Sequence, residues 1–118
     1  MERTRYDRGR FAAELAAAAE NVVVGTTLLF ENDRVRVWAI TLRPGERLPF
    51  HRHRTSYLYR SHAAGLLRVR LPDGSATVYP TATDEVHFHE IGGDELVVHD
   101  LENVGGTTVS FTTIELVR

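Results

Sequence analysis

Through most of the chain, apolar residues fall at alternate positions in short runs. Turn residues punctuate these runs: Asn32-Asp33, Pro44-Gly45, Pro72-Asp73-Gly74, Gly92-Gly93 and Gly105-Gly106. Alternation of this kind predicts half-buried strands, here at 27–31, 35–43, 48–53, 56–60, 66–71, 76–79, 85–91, 96–101 and 108–117. So many short strands imply a sandwich or barrel. Within 66–71, Leu67, Val69 and Leu71 share one face, and the pattern turns Arg68 and Arg70 on the other face to solvent. The N-terminal part differs. Residues 10–20 are rich in Ala, with Phe11 and Leu15 four apart, which predicts one short helix carrying a narrow apolar stripe. Residues 1–26 therefore read as a helical segment and lead-in, expected to pack against the barrel or a neighbouring subunit, and 27–118 as the β domain.

A chain of 118 residues is long enough for one domain with one core. Its 42% hydrophobic residues, 14 basic against 16 acidic side chains and net charge of −2 give no sign of a nucleic-acid or membrane partner. Cysteine is absent, so there is no disulfide framework and no cysteine nucleophile, and any metal must take nitrogen or oxygen ligands. No apolar run approaches the roughly 20 residues that span a bilayer, and residues 1–10 are polar where a signal peptide turns apolar. A cytoplasmic location is the default expectation.

The six histidines are grouped as His51/His53, His62, His87/His89 and His99. One residue separates His51 from His53, so on a strand both rings share a face and can bind one metal ion side by side. His99 lies on a late strand of the kind that pairs with an early one in jelly-roll folds, which makes it the candidate third ligand. His87 and His89 repeat the same spacing. Either they face the cavity, with His89 a further ligand or general base, or they face outward and Glu90 points in, because one bulge would flip the strand. His62, beside Ala63-Ala64-Gly65, reads as a solvent-exposed turn residue. Tyr59 shares a strand face with Tyr57 and is a pocket candidate, while Trp38, Phe50, Phe88 and Phe111 read as core or pocket-lining aromatics.

The run Arg43-Pro44-Gly45-Glu46-Arg47-Leu48-Pro49-Phe50-His51-Arg52-His53 resembles the first motif of the cupin superfamily: a glycine, five residues, then His-x-His. The motif's glutamate position holds Tyr57, and its closing glycine is Gly65, one residue late. The second motif ends in His, three residues, Asn, and His99 and Asn103 reproduce that ending without the preceding landmarks. The stretches from Leu29 to Trp38 and from His99 to Gly105 are similar to a subgroup of small bacterial cupins.

The resemblance implies an all-β cupin double-stranded β-helix, a jelly-roll barrel with a short N-terminal helix. It also implies one divalent transition metal (iron, zinc, nickel or manganese) held by His51, His53 and His99 without a carboxylate. Three neutral imidazoles leave the ion its full charge, which favours anionic or chelating substrates. The expectation is a metal-dependent enzyme acting on a small oxygenated organic molecule, with dioxygenase-type chemistry ranked first. Tyr57 and His89 are its candidate catalytic residues, Tyr57 as hydrogen-bond donor, proton-transfer group or phenolate ligand. The alternatives are a redox-neutral cyclase, isomerase or lyase resembling a polyketide cyclase, or a non-catalytic metal-binding cupin or small-molecule sensor. By the same resemblance the chain is expected to be a homodimer paired through edge strands.

Overall fold

The computed structural model describes residues 3–117. Its strands are β1 (Arg3–Arg5), β2 (Thr27–Glu31), β3 (Val35–Leu42), β4 (Arg47–His53), β5 (Tyr57–Ser61), β6 (Gly65–Arg70), β7 (Ser75–Thr81), β8 (Val86–His89), β9 (Val97–Asn103) and β10 (Val109–Leu116). They form two antiparallel sheets in the orders β1-β7-β6-β9-β4 and β2-β3-β10-β5-β8, the jelly-roll barrel that the cupin resemblance implies. The expected helix is a single α-helical turn and a half, α1 (Ala12–Ala17), extended at both ends by 3-10 turns.

Every strand read from the alternation is present, shifted by two residues or fewer at its ends. β1 went unread because Arg3, Thr4 and Arg5 are all exposed, so no buried face imprints a pattern on them. Backbone pairing with Ser75, Ala76 and Thr77 holds this strand in place.

Between the sheets lies a core of Ile40, Leu42, Leu48, Leu67, Leu101, Val109 and Phe111. A second, smaller core sits outside the first sheet, where Phe50, Val98 and Ala18 pack with Tyr6, Phe11 and Leu15. Phe50 is 1% exposed and meets Phe11 edge-on at 5.8 Å and Tyr6 at 6.2 Å between ring centroids. The N-terminal segment thus packs on the barrel of its own chain.

That packing corrects the expectation for Arg70. It does lie on the outer face of its strand, but the N-terminal segment covers that face and leaves the residue 6% exposed. Its guanidinium lies over the Phe11 ring at 5.0 Å and pairs with Asp100 at 2.8 Å and Glu102 at 2.8 Å, so its charge is buried with partners. Arg68, on the same face, pairs with Glu102 at the partly exposed margin.

The outer face of the second sheet has no such cover, which corrects the reading of Phe88. On edge strand β8 it is 56% exposed and is neither core nor pocket lining. It ends a row of facing residues, Phe30–Val37–Ile114–Leu58–Phe88, that crosses all five strands of this sheet. No helix among the described residues is long and apolar enough to cross a membrane.

Replacing the buried Phe50 by Ala removes the centre of the outer core. The expected cost is about 3 kcal/mol or more, read as a lower urea midpoint at an unchanged slope. A loss below about 1 kcal/mol would show that the N-terminal segment does not rest on this ring.

Candidate metal centre

The site begins with the turn Arg43-Pro44-Gly45, where Gly45 has φ 88°, a left-handed conformation that suits glycine. Gly45 donates its N–H to the Asn103 carbonyl, and Asn103 donates back to Glu46. The Asn103 side chain, fully buried, donates to the carbonyls of Leu42 and Thr107 and accepts from the Gly105 N–H. Asn103 is therefore a staple joining the turns that precede β4 and follow β9, and its place in the second motif is structural.

Stapled in this way, β4 and β9 run side by side with Leu48 opposite Leu101 and His51 opposite His99. The step between these pairs is three residues on β4 and two on β9, so Pro49 and Phe50 form a β-bulge against the single residue Asp100. Leu48 faces the barrel interior, Phe50 faces the outer core, and after the bulge His51 and His53 face inward again. All three histidines then line one cavity.

One ring nitrogen from each of His51, His53 and His99 lies within 4.8 Å of the other two. His51 Nδ1–H donates to the Pro49 carbonyl at 2.8 Å, and His99 Nδ1–H donates to the Asp100 carbonyl at 2.8 Å. Each bond fixes a tautomer that leaves Nε2 with a lone pair, the usual support for a metal-binding imidazole. His99 Nε2 and His53 Nδ1 are buried with no hydrogen-bond partner. Burial, reinforced by the neighbouring rings, pushes His51 down to about 3 and His53 to about 2, and burial also lowers His99. Three neutral imidazoles with unpaired lone pairs fit a divalent ion.

Tyr57 occupies the place of the motif's glutamate, on β5, and stacks on His53 at 3.9 Å between centroids. Burial holds its phenol well above the ordinary range, so it keeps its proton. That state suits a hydrogen-bond donor. β8 pairs with β5 so that His89 stands opposite Tyr57 and His87 opposite Tyr59, which places both histidines on the tyrosine side of the sheet. His89 stacks on Tyr57 at 4.9 Å but is exposed and stands outside the three-histidine group. Burial and then His87 lower its affinity for a proton. His87 pairs with Glu85 in solvent, Glu90 is exposed, and His62, also exposed, bonds to Thr112.

Beyond the histidines the cavity is walled by Ile40, Leu67, Phe111 and the tyrosines Tyr57, Tyr59 and Tyr79. Among the described residues, none of these three hydroxyls has a hydrogen-bond partner. The cavity volume is about 50 Å³. A single water needs roughly 10–15 Å³ by this measure, so the space suits a ligand of a few heavy atoms.

Besides Asp100, a second buried carboxylate escaped the sequence reading. Glu115 is fully buried on the inward face of β10, opposite Tyr57. Its Oε1 accepts from Trp38 Nε1 at 2.7 Å and Arg36 Nε at 2.9 Å, and Oε2 has no partner. Strict alternation through Val109, Phe111, Thr113 and Glu115 was the signal for it. Paired with Arg36, it lies outside the histidine group and does not replace the motif's missing carboxylate.

The fold has many counterparts among solved structures. A cupin domain from Bordetella pertussis Tohama I superposes with a TM-score of 0.67 at 26% identity, over 76% of this chain and 88% of that one. A cupin superfamily protein from Desulfitobacterium hafniense gives 0.56 at 16% identity over 78% and 75%. The polyketide cyclase RemF from Streptomyces resistomycificus gives 0.54 at 18% over 74% and 57%. No family model and no curated protein matches the chain. The two sheets, the motif-bearing strands and these neighbours define the double-stranded β-helix of the cupin superfamily.

In the metal-free protein, the ring signals of His51 and His53 are expected to stay fixed from pH 8 to pH 5 in an NMR titration, since both protonate only near about 3 and about 2. Movement of either with a midpoint near 6.5 would show that its ring is not buried as described.

Proposed function

We propose that this chain is a metal-dependent cupin enzyme acting on a small oxygenated organic molecule, with one divalent transition metal bound by His51, His53 and His99. The supporting observation is the group of three neutral imidazoles whose free ring nitrogens converge on a mostly apolar cavity. The metal supplies Lewis acidity, or oxygen activation when it is iron. Among the described residues no carboxylate joins the three rings, and Glu115 is neutralised by Arg36, so an anionic or chelating substrate group balances the ion's charge.

The chain's own residues do the rest. Tyr57 keeps its proton and donates a hydrogen bond to a substrate oxygen. Neutral His89, stacked on the far face of Tyr57, accepts a proton at the edge of the cavity. Ile40, Leu67 and Phe111 exclude water from the reacting end. Dioxygenase-type chemistry is the leading reading. The likeness of the fold to a polyketide cyclase supports a redox-neutral cyclase or isomerase as the second, and a non-catalytic metal-binding barrel is the third.

Elemental analysis of untagged protein is expected to find about one metal per chain, lost in His51→Ala, His53→Ala and His99→Ala. Unchanged content in all three would overturn the site. Oxygen uptake by the iron-loaded protein with small oxygenated acids supports the dioxygenase, and turnover of such acids with zinc and no uptake supports the second reading. We further propose that two copies pair through the edge strands of the second sheet, where the apolar row ends in the exposed rings of Phe30 and Phe88. Light scattering is expected to give a dimer that Phe88→Glu converts to a monomer. A monomeric parent protein would contradict the pairing.

A further inference from the structure

The Pro49–Phe50 bulge decides which side of β4 carries the histidines, yet β9 does not satisfy its backbone. β4 is the edge strand of the first sheet, and on its free side the polar groups go to the N-terminal segment. Phe50 N–H donates to Glu14 Oε1 at 2.6 Å. The Phe50 carbonyl accepts from Asn21 Nδ2 at 3.0 Å, and Arg52 N–H donates to the Asn21 carbonyl at 2.7 Å. Proline at 49 has no N–H to lose, which makes it well suited to the bulge.

Glu14 is itself fixed from both sides. Arg47, at the start of β4, binds its two oxygens at 2.6 Å and 3.0 Å and reaches Asp100 Oδ2 at 3.0 Å. Asp100 also accepts the Arg70 N–H at 2.7 Å and its guanidinium at 2.8 Å. Asp100 is the residue that faces the bulge, and its carbonyl orients the His99 ring. One chain of charge-assisted bonds therefore runs from the N-terminal helix across the outer face to the backbone beneath His51 and His99.

We propose that Glu14 and Asn21 are positioning residues for the metal site. By capping Phe50 they hold the β4 bulge that aims His51 and His53 into the barrel. This inference rests on the three histidines being the metal ligands. If the cap is lost, Phe50 N–H is left unsatisfied, and the strand can recover regular pairing only by shifting the histidines toward the outer face.

The test compares wild type, Glu14→Ala and Glu14→Gln. Gln keeps an oxygen to accept the Phe50 N–H and drops the charge. Cobalt(II) titration followed by visible absorption is expected to show binding about 10- to 100-fold weaker in Glu14→Ala, with an altered ligand-field spectrum in protein that still unfolds cooperatively. Glu14→Gln is expected to regain most of the affinity and the wild-type spectrum. A purely structural role would lower the melting temperature and leave the spectrum of the folded protein unchanged. That result overturns the proposal, and so does a Gln variant no better than Ala.

Should Glu14→Ala fail to fold, Asn21→Ala, which leaves the ion network intact, is read against the same criteria. If wild type binds no cobalt, the metal reading fails separately, and nitrogen-15 imidazole spectra of the metal-free protein still decide the positioning. A fixed Nδ1–H tautomer of His51 in wild type that becomes mixed in Glu14→Ala supports it, and identical spectra overturn it.

Discussion

One extra residue in a strand decides the character of this barrel. With regular alternation from Leu48, Phe50 would point inward and both His51 and His53 outward, because a strand's side chains reverse at each residue. The Pro49–Phe50 bulge shifts the phase, sending Phe50 to the outer core and two imidazoles to the inner one. The cost is a kink with polar backbone groups to satisfy and three nitrogen heterocycles to bury. The N-terminal segment meets the first cost through Glu14 and Asn21. A metal ion would meet the second, since burial keeps the rings neutral and leaves lone pairs at His99 Nε2 and His53 Nδ1 without protein partners.

The outer face of the first sheet is thus a functional layer as well as a packed one. Arg47, Arg70, Asp100 and Glu14 are charged groups under an aromatic roof of Tyr6 and Phe11. Each buried charge has opposite-signed partners, the condition under which such groups are tolerated. The network joins the helix to the two strands that carry the histidines, so packing on the outside and geometry on the inside vary together.

Much of this was legible in the sequence, and the exceptions have physical reasons. The alternation gave both sheets because their central strands bury one face, as Val109, Phe111, Thr113 and Glu115 do in β10. His51, His53 and His99 were legible because motif spacing survives where flanking landmarks are lost, and Tyr57 because it stands where the motif has glutamate. The bulge was not recognised, although Leu48 and Phe50 are out of phase with the two histidines. Arg70 was placed on the correct face and given the wrong environment, because its cover comes from a segment more than fifty residues away in the chain. Glu115 followed the strand's alternation but was not read as buried, since its burial depends on Arg36 and Trp38 meeting it across the strand pair. Phe88 was misread because an edge strand can leave a large apolar ring uncovered.

The central claim is that three imidazoles, and no carboxylate, form the protein's share of a single metal site. X-ray absorption at the metal edge of the zinc- or iron-loaded protein measures that directly. The account predicts a first shell containing three imidazole nitrogens at about 2.0–2.1 Å for zinc, completed by light oxygen ligands from solvent. A first shell dominated by oxygen, with one imidazole or none, would contradict it.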